Sequence, residues 1–157
     1  REYESGDGST TRIENSDSVF SEYDEEEVCR EIEEKLGVIA PRLGYQPKDM
    51  MLSEYWIDEE TGEAAVEYVR NDDELQIYIS KDIDASSIHF EIDGNKQGTI
   101  FIIANSIEVP VCEYIDLDNN RCFQSEFEIF NTYYCITGKM ELEEYNEILE
   151  NMAINNV

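Results

Sequence analysis

Few side chains in this sequence have a type and spacing that could do chemistry, and each has a plainer structural reading beside it. His89 is the single histidine. An imidazole serves as general base only where a carboxylate orients it and a nucleophile converges on it. No Ser or Cys stands in a GxSxG elbow to supply that nucleophile. His89 sits between Ile88 and Phe90 in a short strand-like run, so it reads as a strand histidine, and no catalytic residue is expected.

Asp116, Asp118 and Asn120 stand at i, i+2 and i+4, the opening spacing of a calcium loop that needs hard oxygen ligands on alternate residues. The continuation fails, because Arg121 occupies the sixth position, where glycine is needed, and Phe127 the twelfth, where a bidentate glutamate is needed. A hairpin loop is expected there and no metal site. The acidic runs Asp58 to Glu63 and Asp72 to Glu74 read as solvated turns. The cysteines Cys29, Cys112, Cys122 and Cys135 lack the CxxC spacing of a zinc site. Cys112 and Cys122 border one loop, so either they form a cross-strand disulfide or all four thiols are free and behave as small buried hydrophobes.

Aromatic side chains offer a different chemistry, since amphipathic rings recur at binding surfaces. Tyr55, Trp56, Tyr68, Tyr78 and Tyr114 are the candidate binding residues, with Tyr133 and Tyr134 nearby in type and pattern. On alternating strands with one covered face, the competing reading is core and cross-strand pairs. No cofactor motif is present.

These residues must be positioned by a regular scaffold, and the stretch Glu126 to Ala153 shows how. Glu126 to Ile129 alternates polar and apolar as a half-buried strand, Asn131-Thr132 reads as a tight turn, and Tyr133 to Thr137 is a second strand. After Gly138 the apolar residues Leu142, Tyr145, Ile148, Leu149, Met152 and Ala153 recur at helical spacing and form one stripe that needs a sheet to cover it.

Upstream, residues 1–23 are rich in Ser, Thr, Gly, Asp and Glu without periodicity and read as an acidic polar tail or stalk, with Ile13, Val19 and Phe20 able to dock. Residues 24–157 read as a single domain. Asp24 and Glu27 fit a capping box for a helix from about Glu25 to Leu36, with Val28, Cys29, Ile32 and Leu36 inward, Glu31, Glu33, Glu34 and Lys35 in water, and Gly37 as the stop. Val38 to Pro47 is a proline-broken connector whose Leu43 and Tyr45 tuck under the sheet. From Met50 three antiparallel strands follow in a meander: MLSEYWI, EAAVEYVR and ELQIYIS. Ile88 to Ile92 is a short strand. Thr99 to Ala104, apolar on both faces, is expected to be central and covered on each side. Ile107 to Ile115 and Cys122 to Phe130 flank the loop DLDNN. The fold class is α+β: a twisted antiparallel sheet of about seven strands, with an N-terminal helix and a C-terminal helix packed on it.

With these elements in place, Val38 to Ile154 resembles a family of unknown function from Gram-positive bacteria. Its members form the extracytoplasmic C-terminal part of membrane-anchored proteins, some of them anti-sigma-factor-like. The resemblance rests on RLGYQP, on HFEIDG and above all on NTYYCITGKMELEEYNEILENMA, a Tyr-x-Ile-x-Gly strand running into an acidic helix. The sequence departs from the family where Gly44-Tyr45 precedes Pro47, and where Phe127 or Ile129 stands in place of a tryptophan before the last hairpin. The resemblance implies no catalytic residue.

The formal charge of -27 constrains partners. Such a field disfavours DNA, RNA and anionic lipid, and favours cations and basic peptides or proteins, while the plainer reading of the same charge is solubility. No run approaches the ~20 apolar residues of a membrane span. Arg1 is not a natural start, so an N-terminal anchor or signal removed from this chain is expected. Together with the resemblance, this gives a non-catalytic extracytoplasmic sensor or binding domain of a membrane-anchored bacterial protein. The rival readings are a soluble acidic protein-interaction adaptor and an enzyme of unrecognised class.

Overall fold

The computed structural model describes residues 23–82, 95–102 and 107–154. The elements run α1 (Glu25–Leu36), β1 (Met51–Asp58), β2 (Glu63–Arg70), β3 (Asp73–Ser80), β4 (Asn95–Ile102), β5 (Ile107–Ile115), β6 (Arg121–Ile129), β7 (Thr132–Lys139) and α2 (Leu142–Glu150). They form one α+β unit. Every neighbouring strand pair is antiparallel, in the order β1-β2-β3-β7-β6-β5-β4. Six strands, β1 to β3 and β5 to β7, carry the described side chains, and β4 extends the sheet beyond β5.

A single cross-strand row locates both helices. Tyr68 pairs with Leu75, Leu75 with Gly138 and Gly138 with Phe123, so these four residues project from the same face. At one end of the row the Tyr68 hydroxyl donates to Glu25 of α1 at 2.8 Å, and at the other the Phe123 ring packs against Tyr145 of α2 with centroids 5.6 Å apart. Both helices therefore cover one face. Val28, Cys29, Ile32 and Leu36 of α1 and Tyr145, Ile148 and Leu149 of α2 are buried in the same core as Val66, Ile77, Val109, Phe127 and Ile136. Each fully buried aliphatic side chain of this kind stabilises the fold by about 1.5–3 kcal/mol.

Helix α1 has the expected bounds, and Gly37 closes it in the left-handed region at φ 73°. The capping box does not form: Asp24 is the N-cap but makes no side-chain cap hydrogen bond. The acidic residues of α1 serve the tertiary structure instead. Glu25 also accepts from the Leu43 amide at 2.9 Å, Glu26 accepts from Arg42 at 2.9 Å, and Glu33 accepts from the Ala40 amide at 3.0 Å and pairs with Arg42. Glu31 accepts from the Tyr55 hydroxyl at 2.7 Å. Glu31 and Glu33 are thus anchors of the connector and sheet rather than wet residues. The repeat gives their face but not the donors that the fold brings to it.

Three more expectations change. The last hairpin turns at Phe130-Asn131, one residue early: Ile129 pairs with Thr132, and both turn residues have positive φ, 53° and 63°, as a two-residue type I′ loop requires. Thr132 joins the strand and is buried. The apolar run near Thr99 lies in β4, which begins at Asn95 and stands at the edge of the sheet, not its centre. An apolar run identifies a strand but carries no record of its neighbours. Tyr23, assigned to the tail, packs edge-on against Tyr55 at 5.3 Å. The strand at Ile88 to Ile92, His89 and the docking candidates Ile13, Val19 and Phe20 lie outside the described residues.

The connector closes the domain against its own C-terminus. Arg42 and Ala153 exchange backbone hydrogen bonds of 2.9 Å each way. A Cβ on Gly44 would stand 2.1 Å from the Asn151 carbonyl oxygen, so only glycine lets the two segments meet. Leu43 is buried and Tyr45 half-buried against the core, as the pattern predicts.

Candidate functional site

The face opposite the helices is built from the other parity of each strand. One row on it runs Glu54, Glu67, Gln76, Thr137, Gln124 and Cys112. A second runs Trp56, Ala65, Tyr78, Cys135 and Glu126. Neither described helix lies there. The second row is closed: Tyr78, Tyr133 and Cys135 are buried together with Trp56 against them, and the Tyr78 and Tyr133 rings meet edge to face at 6.1 Å. Their hydroxyls donate to carboxylates, Tyr78 to Glu63 and Tyr133 to Glu126 at 2.8 Å. Burial, followed by those acidic neighbours, pushes the Tyr78 phenol well above its ordinary range; burial does the same to Tyr133.

The first row opens into a cleft of about 240 Å³ crossing the strands from Glu67 on β2, past Gln76 and Thr137, to Tyr114 on β5 and the β5–β6 loop. Its lining includes the carboxylates of Glu67, Glu74, Asp116 and Asp118 against one ammonium, Lys139. Lys139 is 3.8 Å from Glu74. A second depression of about 350 Å³ shares Lys139 and adds Asp72, Asp73 and Glu141 with Arg121. Arg121 is engaged already, donating to Glu113 at 2.5 Å and lying 5.1 Å over the Phe123 ring.

The β5–β6 loop that ends the cleft is held by Asp116. One of its carboxylate oxygens accepts from the amides of Asp118 at 2.9 Å and Asn120 at 2.8 Å, and the other from the Asn120 side chain at 3.2 Å. The Asn120 amide above all holds its carboxyl below the usual carboxylate range. The calcium-like spacing is thus a hairpin-loop device, as its failed continuation indicates. Among the described residues no three His, Cys, Asp or Glu side chains group closely enough to hold a metal ion.

The candidate aromatics divide. Trp56, Tyr78 and Tyr114 lie on the helix-free face, and Tyr114 lines the cleft. Tyr55 and Tyr68 do not: they point toward α1, where Tyr68 is 1% exposed and both hydroxyls donate to glutamates of that helix. The β-bulge between Leu52 and Glu54 shifts the parity of β1 and so puts Tyr55 beside Val66 on the core side. The remaining pair, Tyr133 and Tyr134, splits likewise, with Tyr134 stacked on Phe127 at 5.3 Å in the main core.

The four thiols are free. Cys122 pairs with Tyr114 and Cys112 with Gln124, so the two cysteines are diagonal neighbours, not the opposed pair a cross-strand disulfide needs. Burial raises the Cys122 thiol, with Asp116 next in effect, and pushes Cys29 and Cys135 up to about 12. Thiols held neutral in this way are poor nucleophiles. The cleft is a polar, anionic trough.

Sequence reasoning missed Glu67, Gln76, Thr137 and Lys139 as cleft residues. Alternation along β2, β3 and β7 places each on the wetter parity, but only the strand order shows that they converge. No curated protein and no solved structure matches the chain. The family comparison does match: residues 40–152, from the connector through the Tyr134-x-Ile136-x-Gly138 strand to the end of α2, fit the domain of unknown function DUF4367, and the chain belongs to that family.

Proposed function

We propose that this is a non-catalytic binding domain whose partner is a basic peptide or protein surface. The observation that carries the reading is the cleft on the helix-free face, where four carboxylates face one ammonium in a chain of formal charge -27. A field of that sign accelerates encounter with cations and opposes nucleic acid and anionic membrane. The reading includes its setting: an extracytoplasmic sensor or binding module of a membrane-anchored bacterial protein, as the resemblance to membrane-anchored relatives suggests. The membrane is reached through an N-terminal anchor.

The test is a titration of the domain with a panel of cationic peptides and a DNA duplex at low and physiological salt, beside an unrelated acidic protein of matched charge. Peptide binding stronger than the control's, weakening as salt rises, supports the reading. Tight duplex binding sinks it, as does peptide binding no stronger than the control's. A membrane helix or lipobox upstream in the gene supports the extracytoplasmic setting, whereas an initiator Met directly before Arg1 opposes it.

A further inference from the structure

We infer that the cleft is a two-ended docking trough for an extended partner segment of about six residues with a lysine or arginine near each end. The inference rests on the binding reading above and assigns it a place, a length and a pattern. The trough runs across the strands in the order β2, β3, β7, β6, β5. Strands spaced by about 4.8 Å make that span about 19 Å, the length of roughly six extended residues.

Charge along the trough is uneven. Glu67 and Glu74 lie at the β2–β3 end, and Asp116 and Asp118 lie at the other end on the β5–β6 loop. Between them the lining is Thr137 and Cys122, and the Lys139 ammonium lies 3.8 Å from Glu74. A compact cation reaches one end only, whereas a segment with separated charges reaches both and leaves neutral residues over the centre. The loop tip adds an apolar contact: Leu117, between the cleft residues Asp116 and Asp118, is 104% exposed. A large aliphatic side chain held in water at the end of a polar trough suits a protein segment better than a free polyamine, which has no side chain to cover it. Occupation by the protein itself is opposed by charge, since residues 1–22 hold six acidic and two basic side chains and a second copy would bring another -27.

The experiment uses the full chain and two fluorescent hexapeptides of equal charge, Lys-Ser-Leu-Ser-Ser-Lys and Ser-Ser-Lys-Lys-Leu-Ser, at low salt. Two charge-matched triple variants are compared: Glu67→Gln with Glu74→Gln and Asp118→Asn in the trough, and Glu143→Gln with Glu147→Gln and Glu150→Gln on the exposed face of α2. The spaced peptide is expected to bind more tightly than the clustered one. The trough variant should weaken it about tenfold, a size that two exposed ion pairs reach together. The α2 variant should change it less than about twofold, because it alters only the long-range field. Equal weakening by both triples would overturn the trough while leaving an acidic binding domain intact, and equal affinity for both peptides would overturn its two-ended pattern. No binding of either peptide by the unmodified chain would remove the binding reading as well. Unchanged thermal unfolding of both triples identifies any loss as one of recognition.

Discussion

The ring of Tyr145 occupies the space where Gly138 would otherwise carry a side chain: a Cβ built on Gly138 stands 2.7 Å from the Tyr145 Cδ1. Tyr145 then reaches past β7, its hydroxyl 3.0 Å from both the Ser125 Oγ and the Ile136 carbonyl oxygen, in a fully buried position. The Tyr-x-Ile-x-Gly strand and the acidic helix that follows it are therefore one packing device. Gly138→Ala should lower stability by about 1–3 kcal/mol through overpacking, and Tyr145→Phe by about 1 kcal/mol through the lost hydrogen bonds. Urea unfolding measures both, and an unchanged midpoint for Gly138→Ala would refute the close approach.

The phase of α2 gives a second contrast. Leu149 is fully buried and Glu147 exposed. Leu149→Asp places an unpaired charge in the core and should cost several kcal/mol, with about 3 as the working figure. Glu147→Ala should stay within about 0.5 kcal/mol. Similar shifts in melting temperature for the two variants would be incompatible with this phase.

Stability should fall in alkali. Burial holds the thiols of Cys29 and Cys135 neutral up to about 12 against an ordinary 9, and the Tyr114 phenol up to about 12 against 10. Below pH 9 both folded and unfolded chains keep these protons, and the stabilisation is complete. Between 9 and 12 the unfolded chain ionises first, so stability is lost as pH rises through that window. Urea midpoints from pH 8 to 12 test the sign: the expected curve is flat and then declines above 9, and a level or rising curve would contradict it.

The thiols should differ in reactivity. Cys29, Cys122 and Cys135 are buried and Cys112 is half-buried. A disulfide-exchange reagent should label Cys112 first in the native protein and all four in denaturant, and Cys112→Ser should remove the fast phase. Because Cys112 and Cys122 are diagonal rather than opposed, mass mapping without reductant should find no peptide linking them. A linked peptide in high yield would mean that this register is wrong.

Local periodicity by itself determined the elements. The alternation in EAAVEYVR and ELQIYIS, the helical repeat through Val28, Ile32 and Leu36, and the stripe of Tyr145, Ile148 and Leu149 each record which side of a segment is apolar, and burial follows them. That information is contained within a dozen residues. Partnership is not. Glu31 and Glu33 look solvated until Tyr55 and Arg42 are brought to them from other elements. Tyr55 looks like a groove residue until the bulge after Leu52 turns it inward. The cleft exists only because the chain inserts β7 between β3 and β6, which sets Glu67 and Gln76 in line with Thr137, and Glu74 in line with Lys139. Strand order is fixed by long-range pairing among segments of similar propensity, so only the tertiary structure could decide which carboxylates share a surface.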